Sequence, residues 1–150
     1  MKCPMKHLAA LALFLSIPLA TQAADPGLTT RPSPYAVAET LDRLESVLKA
    51  KGVKVFARID HAAEARAAGL ELKPMQLLIF GNPKAGTPLM RAAPTTGLDL
   101  PMKALAWQDD GGQTQVTWNS PAHLIDRHGL DPAQGKSLAA VAGLIDAALK

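Results

Sequence analysis

Cysteine is confined to position 3, and this feature most constrains what the chain can fold into. A domain that begins after Cys3 has no disulfide and no thiolate metal site to hold it together, so it must bury an ordinary apolar core. The remaining length is sufficient for one such domain. Apolar residues at helical or strand spacing are therefore the main guide to its architecture.

Residues 1–23 have the layout of a secretory signal peptide. Two lysines precede an apolar segment at residues 8–20, and small residues follow it before the expected cleavage point. The apolar segment is shorter than the roughly 20 residues that a spanning helix needs, which favours a cleaved signal over an uncleaved anchor. We expect an exported, periplasmic protein in which residues 24–150 form a single domain with no membrane association after cleavage.

The charge balance gives no indication of a nucleic-acid partner. The full chain has 16 lysine and arginine residues against 13 aspartate and glutamate residues. Cleavage would remove Lys2 and Lys6 and leave a net charge of about +1. No basic stripe with interleaved aromatic residues is present, so we expect no nucleic-acid binding.

Apolar spacing predicts the first half of the domain. Within residues 35–52, a glycine stop follows an apolar stripe at helical spacing, formed by Val37, Leu41, Leu44 and Leu48. Residues 61–69 form a second, short helix that Asp60 can cap. Residues 75–80 are nearly continuously apolar, as in a strand covered on both faces by helices. Between the two helices lies a strand whose predicted buried face consists of Val53, Val55, Ala57 and Ile59.

The second half of the domain continues with alternating elements. Thr87 can cap a helix that starts at Pro88, and a hairpin is predicted around Asp110-Gly111 or Gly111-Gly112. Two more helices, one short and one longer, complete the chain. With a possible first strand at residues 28–31, the order of elements predicts an α/β (α+β) domain. It would contain a mixed β-sheet of four to five strands with helices packed on it.

Three strings together resemble one known family: VFARIDHAAEARAAGLELKP, LLIFGNPKAGTPLMRAAPTTGLDLPMKALAW and WNSPAHLIDRHGL. They are similar to the DUF302 family of small bacterial α/β proteins, a domain of unknown function. The resemblance covers residues 28–130. It implies a fold and self-association, most simply as a homodimer, but no reaction.

The string GNPKAGT after the apolar strand resembles a phosphate-binding loop. Its lysine slot is occupied by Gly86, and two prolines remove backbone donors, so a structural strand-to-helix turn is favoured over nucleotide binding. A small anion bound by Asn82 and Lys84 remains an alternative. No cofactor is expected.

Candidate metal ligands are few. His61 and Glu64 lie one helical turn apart, but capping and helix-dipole roles explain them equally well. His123 and His128 would point in different directions on one helix. Copper binding by methionine lacks the close spacing it requires, so we expect core packing and no metal for Met75, Met90 and Met102.

The hairpin offers the strongest candidate for a ligand site. Alternation places Lys103 on the same strand face as Trp107, and either predicted register brings Trp118 opposite or diagonal to the lysine. The lysine stem could simply cover apolar surface, or its amine could line a pocket beside the two indoles. We predict that Asn82 and Lys84 join this pocket and that its ligand is an anion.

Two functional hypotheses follow from these candidates. The favoured one is a non-catalytic module that binds a small ligand or a partner. The alternative is a periplasmic enzyme that uses polar residues such as His61, Asn82 and Lys103. No nucleophile signature identifies catalytic residues, so none is assigned.

Overall fold

The computed structural model describes residues 27–150, and the predicted signal peptide lies outside the described residues. Within residues 27–150, each helix is too short or too polar to span a membrane. The strands are β1 (Leu28–Ser33), β2 (Lys54–Asp60), β3 (Met75–Gly81), β4 (Met102–Gln108) and β5 (Thr114–Asn119). The helices are α1 (Val37–Ala50), α2 (His61–Ala67), α3 (Pro83–Ala92), α4 (Pro121–His128) and α5 (Ala140–Ala148), with 3₁₀ helices at Pro94–Leu98 and Gln134–Ala139.

The strands form one five-stranded sheet in the order β1-β5-β4-β3-β2. This confirms the predicted α/β class, the strand number and the first strand. The strand directions correct the prediction of a mixed sheet, because all neighbouring pairs run antiparallel. Two neighbouring strands that follow each other in the chain can run parallel only if a crossover connection joins them. The connection through α1 joins β1 and β2, but these strands lie at opposite edges of the sheet and are not neighbours.

Helix α1 covers one face of the sheet and contacts α5. The residues predicted as its apolar stripe are all buried, namely Val37, Leu41, Leu44 and Leu48. They meet the inward side chains of the central strands, which we call the helix face: Leu78, Phe80, Met102, Ala104, Ala106, Val116 and Trp118. This cluster is the ordinary apolar core that a domain without cysteine requires.

The opposite side of the sheet is only half-buried, and we call it the outer face. It consists of Met75, Leu77, Ile79, Lys103, Leu105, Trp107, Gln115 and Thr117. The prediction that helices cover both faces of β3 is therefore corrected. The continuous apolar run gave the wrong expectation because a half-buried apolar face and a fully buried one share the same sequence pattern.

Strand β2 departs from its predicted alternation at a β-bulge between Val55 and Ala57. The extra residue, Phe56, is 44% exposed, and Ile59 beyond it is also exposed rather than buried. Because a bulge shifts the side-chain phase, Arg58 is turned toward α1.

Helix α3 begins earlier than predicted. Asn82, not Thr87, is the N-cap residue, and its side-chain oxygen accepts a hydrogen bond from the backbone N–H of Lys84 at 2.9 Å. Pro83 occupies the first turn and Pro88 lies inside the helix. An asparagine followed by proline is as good a helix start as threonine followed by proline, and the earlier start adds one more turn of hydrogen bonds.

The predicted cap of α2 is confirmed. The Asp60 side chain accepts a hydrogen bond from the backbone N–H of Ala63 at 2.8 Å. This backbone hydrogen bond is the main cause that lowers the pKa of Asp60, and the side-chain amide of Gln76 contributes as well.

Candidate functional site

The hairpin turn decides which residues of β4 and β5 share a face. The turn contains three residues, from Asp110 to Gly112, and Gly112 takes the left-handed φ of +82° that such a turn requires. Asp109 accepts hydrogen bonds from Gly111 and Gln113 backbone N–H groups and from the Gln115 amide. The Gln115 hydrogen bond is the largest cause that lowers the pKa of Asp109.

The length of this turn places the two tryptophans on opposite faces of the sheet. Leu105 pairs with Thr117 and Ala106 with Val116, so Trp118 falls beside Ala104 on the helix face, where it is 3% exposed. Lys103 and Trp107 lie on the outer face. The predicted contact between Lys103 and Trp118 is therefore wrong, because a one-residue difference in turn length moves a side chain to the other face.

The outer-face candidates have local partners. The Lys103 ammonium donates hydrogen bonds to the backbone carbonyls of Asp99 at 2.9 Å and Pro101 at 3.2 Å. The Trp107 indole N–H donates to the Thr117 hydroxyl at 2.9 Å. Lys103 thus fixes the segment that precedes β4. Ligand binding by Lys103, Trp107 and Trp118 as one pocket does not fit their placement on two faces.

The loop candidates lie elsewhere. Asn82 and Lys84 belong to the first turn of α3, at the end of β3. GNPKAGT is thus mostly helix, consistent with the structural reading of this string. Asn82 lines an apolar cavity, whereas Lys84 is not among the lining residues.

That cavity has a volume of about 410 Å³ and lies where β3 leads into α3. Its walls come from β2, β3, α3, the 3₁₀ helix at Gln134–Ala139, α5 and the Leu100–Met102 segment, and no charged side chain lines it. The apolar lining includes Phe56, Phe80, Ala85, Met90, Leu100, Pro101, Leu138, Val141 and Leu144. The polar lining side chains are those of Asn82, Thr87 and Ser137. This composition is typical of a site for a small apolar molecule.

A separate polar cluster connects the 3₁₀ helix at Pro94–Leu98 with the end of α4. His128 Nε2 lies 2.6 Å from Asp99 Oδ2, and His128 Nδ1 lies 3.0 Å from the Thr95 hydroxyl oxygen. The side chains of His128 and Asp99 are 3% and 11% exposed. Arg127 Nε is 3.5 Å from the same carboxylate oxygen.

Sequence reasoning missed this cluster. The sequence pattern pairs His128 only with His123 as a candidate metal ligand and assigns no role to Asp99. Both residues occur in the strings GLDLP and DRHGL, which carried the family resemblance, so the signal was present. Within residues 27–150, no group of three or more metal-ligating side chains could hold a metal ion, so His61 and Glu64 lack a third ligand there.

Comparisons with known proteins agree with the fold. The family model "Domain of unknown function DUF302" matches residues 29–149. The crystal structure of the uncharacterized conserved protein DUF302 from Bacillus stearothermophilus superposes with a TM-score of 0.70 and 25% sequence identity. The superposition covers 83% of this chain and 97% of that chain.

Two curated relatives are 51% identical over 106 residues, or 71% of this chain. They are "Fluoride-specific ion channel FluC 1" of Brucella suis biovar 1 (strain 1330) and "Fluoride-specific ion channel FluC 1" of Brucella abortus biovar 1 (strain 9-941). The matched region is 42% of the first relative and 39% of the second, so this chain spans about two fifths of the length of each.

Proposed function

Because the chain belongs to the DUF302 family, a domain of unknown function, we propose that it is an exported module that binds a small neutral apolar ligand. The observation that carries this proposal is the apolar cavity beside α3. Its volume lies within the range of small-molecule sites, and its few polar side chains could orient a ligand that has one hydroxyl or carbonyl group.

The residues that line the cavity favour a neutral ligand over the anion that the sequence predicted. An anion, which the sequence favoured, would need a cation or several unpaired donors in the cavity. The side chains that line it are uncharged, so no cation faces the interior of the cavity to compensate an anion. A neutral molecule loses no charge solvation on entering such a cavity, so it is favoured over an anion.

Gly86 allows a direct test of the cavity. A Cβ added there would lie 3.6 Å from Leu100 Cδ1 and 3.9 Å from Met90 Cε, which are ordinary contact distances, so Gly86→Leu should place its side chain in the cavity. We expect the dissociation constant of the neutral fluorophore N-phenyl-1-naphthylamine to rise at least about tenfold, which corresponds to roughly 1.4 kcal/mol. Fluorescence titration gives the dissociation constants of the wild type and of Gly86→Leu.

Gly143→Leu is the matched control. Gly143 lies in α5 with open space around the position of an added Cβ. Both substitutions replace glycine by a better helix former, which should raise stability by up to about 1 kcal/mol. Equal binding by wild type and both variants, or no binding by any of them, would contradict a ligand role for the cavity.

Export and self-association are parts of the same proposal. The outer face presents Leu77, Ile79 and Leu105 half-buried, and its one charged group, Lys103, is tied to backbone carbonyls. A second copy related by a two-fold axis could cover this largely apolar face. The leader-like residues 1–23 support export.

Native mass spectrometry of protein from its own host envelope tests both parts in one measurement. We expect the mass of a dimer whose chains begin at Ala24, because cleavage removes the leader and the outer faces then pair. A chain that retains Met1 would contradict export, and a monomer at micromolar concentration would contradict pairing.

The fluoride-channel activity named for the Brucella relatives describes those proteins. Fluoride conduction is not part of this proposal, because the matched region is only about two fifths of each relative.

A further inference from the structure

A histidine connects a buried carboxylate with an exposed hydroxyl. Asp99 Oδ2 lies 2.6 Å from His128 Nε2, and the other ring nitrogen, Nδ1, lies 3.0 Å from the Thr95 hydroxyl oxygen. The three groups come from two segments that are about 30 residues apart in sequence. Thr95 lies within the 3₁₀ helix at Pro94–Leu98, Asp99 directly follows that helix, and His128 ends α4.

The carboxylate fixes the proton on the ring. An ionised carboxylate only accepts hydrogen bonds, so neutral His128 must carry its proton on Nε2 to bond Asp99. Nδ1 then has a free lone pair and can only accept. Since the Thr95 hydroxyl lies within hydrogen-bond distance of Nδ1, that hydroxyl donates a hydrogen bond to Nδ1 in this tautomer.

The surroundings support this arrangement. The imidazole is almost completely buried, so bulk water does not compete for either nitrogen. Arg127 places a positive charge 3.5 Å from the carboxylate. Thr95 is exposed, so a substrate in solution can reach its hydroxyl.

We propose that Thr95 is an acyl-accepting nucleophile, with His128 as its general base and Asp99 as the residue that positions His128. This activity is separate from ligand binding in the cavity, which none of the three residues lines. The same order of carboxylate, imidazole and hydroxyl activates the nucleophile in acyl-transfer enzymes, where it is recognised by geometry rather than by sequence position.

The step uses only an ester and water. The Thr95 oxygen bonds to the ester carbonyl carbon, and the hydroxyl proton moves to His128 Nδ1. The bond from the carbonyl carbon to the leaving alcohol then breaks, and His128 returns the proton to the leaving oxygen. Water hydrolyses the threonine ester by the reverse sequence, with His128 again as base. An exposed hydroxyl suits small activated esters.

The probe is p-nitrophenyl acetate. We expect one acetyl group per chain after a short incubation, and peptide mass mapping should locate it on Thr95. Thr95→Val should abolish the adduct and Thr95→Ser should retain it. His128→Gln should slow adduct formation by about 10²- to 10⁴-fold, the usual contribution of a general base.

Thr30→Ala is the matched control, because the exposed Thr30 hydroxyl contacts only the hydroxyl of Thr117 and no imidazole. It should leave the adduct unchanged. An absent adduct in wild type, or one that persists in Thr95→Val, would overturn the proposal and leave the cluster as a structural link between α4 and the Pro94–Leu98 helix.

A spectroscopic measurement on the wild type needs no variant to fold. The ¹⁵N chemical shifts of the His128 ring should show a protonated Nε2 and an unprotonated Nδ1. Asp99→Asn should shift this balance toward Nδ1–H and slow acetylation, because the amide can donate to Nε2 and reverse the tautomer. A proton on Nδ1 in the wild type would overturn the role of His128 as base.

Discussion

Replacing Trp118 by alanine is expected to lower the free energy of unfolding by about 3–5 kcal/mol, as measured by urea denaturation. The indole is 3% exposed and belongs to the apolar cluster beneath α1. Its removal loses apolar contacts and leaves a cavity that the surrounding strands can only partly close. Since a whole domain is stable by about 5–15 kcal/mol, this is a large part of the total.

Trp107→Ala provides the comparison for this substitution. Trp107 is half-buried on the outer face and donates one hydrogen bond to Thr117. Its removal should cost clearly less, because part of the indole is already in contact with water. Equal losses for the two tryptophans would show that Trp118 is not a core residue and that the register of the hairpin differs from the one described.

Replacing Arg58 by methionine is expected to cost about 2 kcal/mol of stability. The guanidinium donates to Gln76 at 2.7 Å and to the Ala38 carbonyl at 2.9 Å, and it lies 3.3 Å from Glu45. These contacts join the edge strand β2 to α1. Methionine keeps most of the apolar stem but leaves the half-buried carboxylate and amide without their donor.

The expected loss of stability in Arg58→Met is moderate because Arg58 and Glu45 are partly exposed. The side chains of Arg58 and Glu45 are 24% and 22% exposed, so solvent screens the pair and the 3–5 kcal/mol typical of fully buried pairs is an upper limit. Arg91→Met is the control, because Arg91 is exposed on α3 and its loss should change stability by less than about 0.5 kcal/mol. A similar effect of both substitutions in thermal and urea unfolding would contradict a clamping role for Arg58.

Local patterns in the sequence identified most of the secondary structure. The apolar stripe of α1 follows helical spacing, so its buried residues could be named in advance. Asp60 was recognised as the cap of α2 because capping involves residues only three positions apart. The two strands of the hairpin were found for the same reason. Each of these features depends on neighbours within about one turn or one pair of strands.

Single residues in a turn or a bulge decided which face of the sheet a side chain occupies. Both registers considered for the hairpin assumed two central turn residues, and the actual turn has three, which moved Trp118 away from Lys103. A bulge at Phe56 similarly turned Arg58 toward α1. One residue in a turn or bulge changes the face of every later side chain, and apolar alternation cannot show where that residue is inserted.

The candidate sites were decided by tertiary structure alone. The cavity exists because α3 and α5, which are distant in sequence, leave space between them at the end of β3. Asp99 and His128 meet across 29 positions of the chain. The sequence by itself determined the class of fold, the elements and the apolar core, since these follow from local periodicity. Contacts between distant segments determined which polar groups met, because their pairing depends on how the helices pack around the sheet.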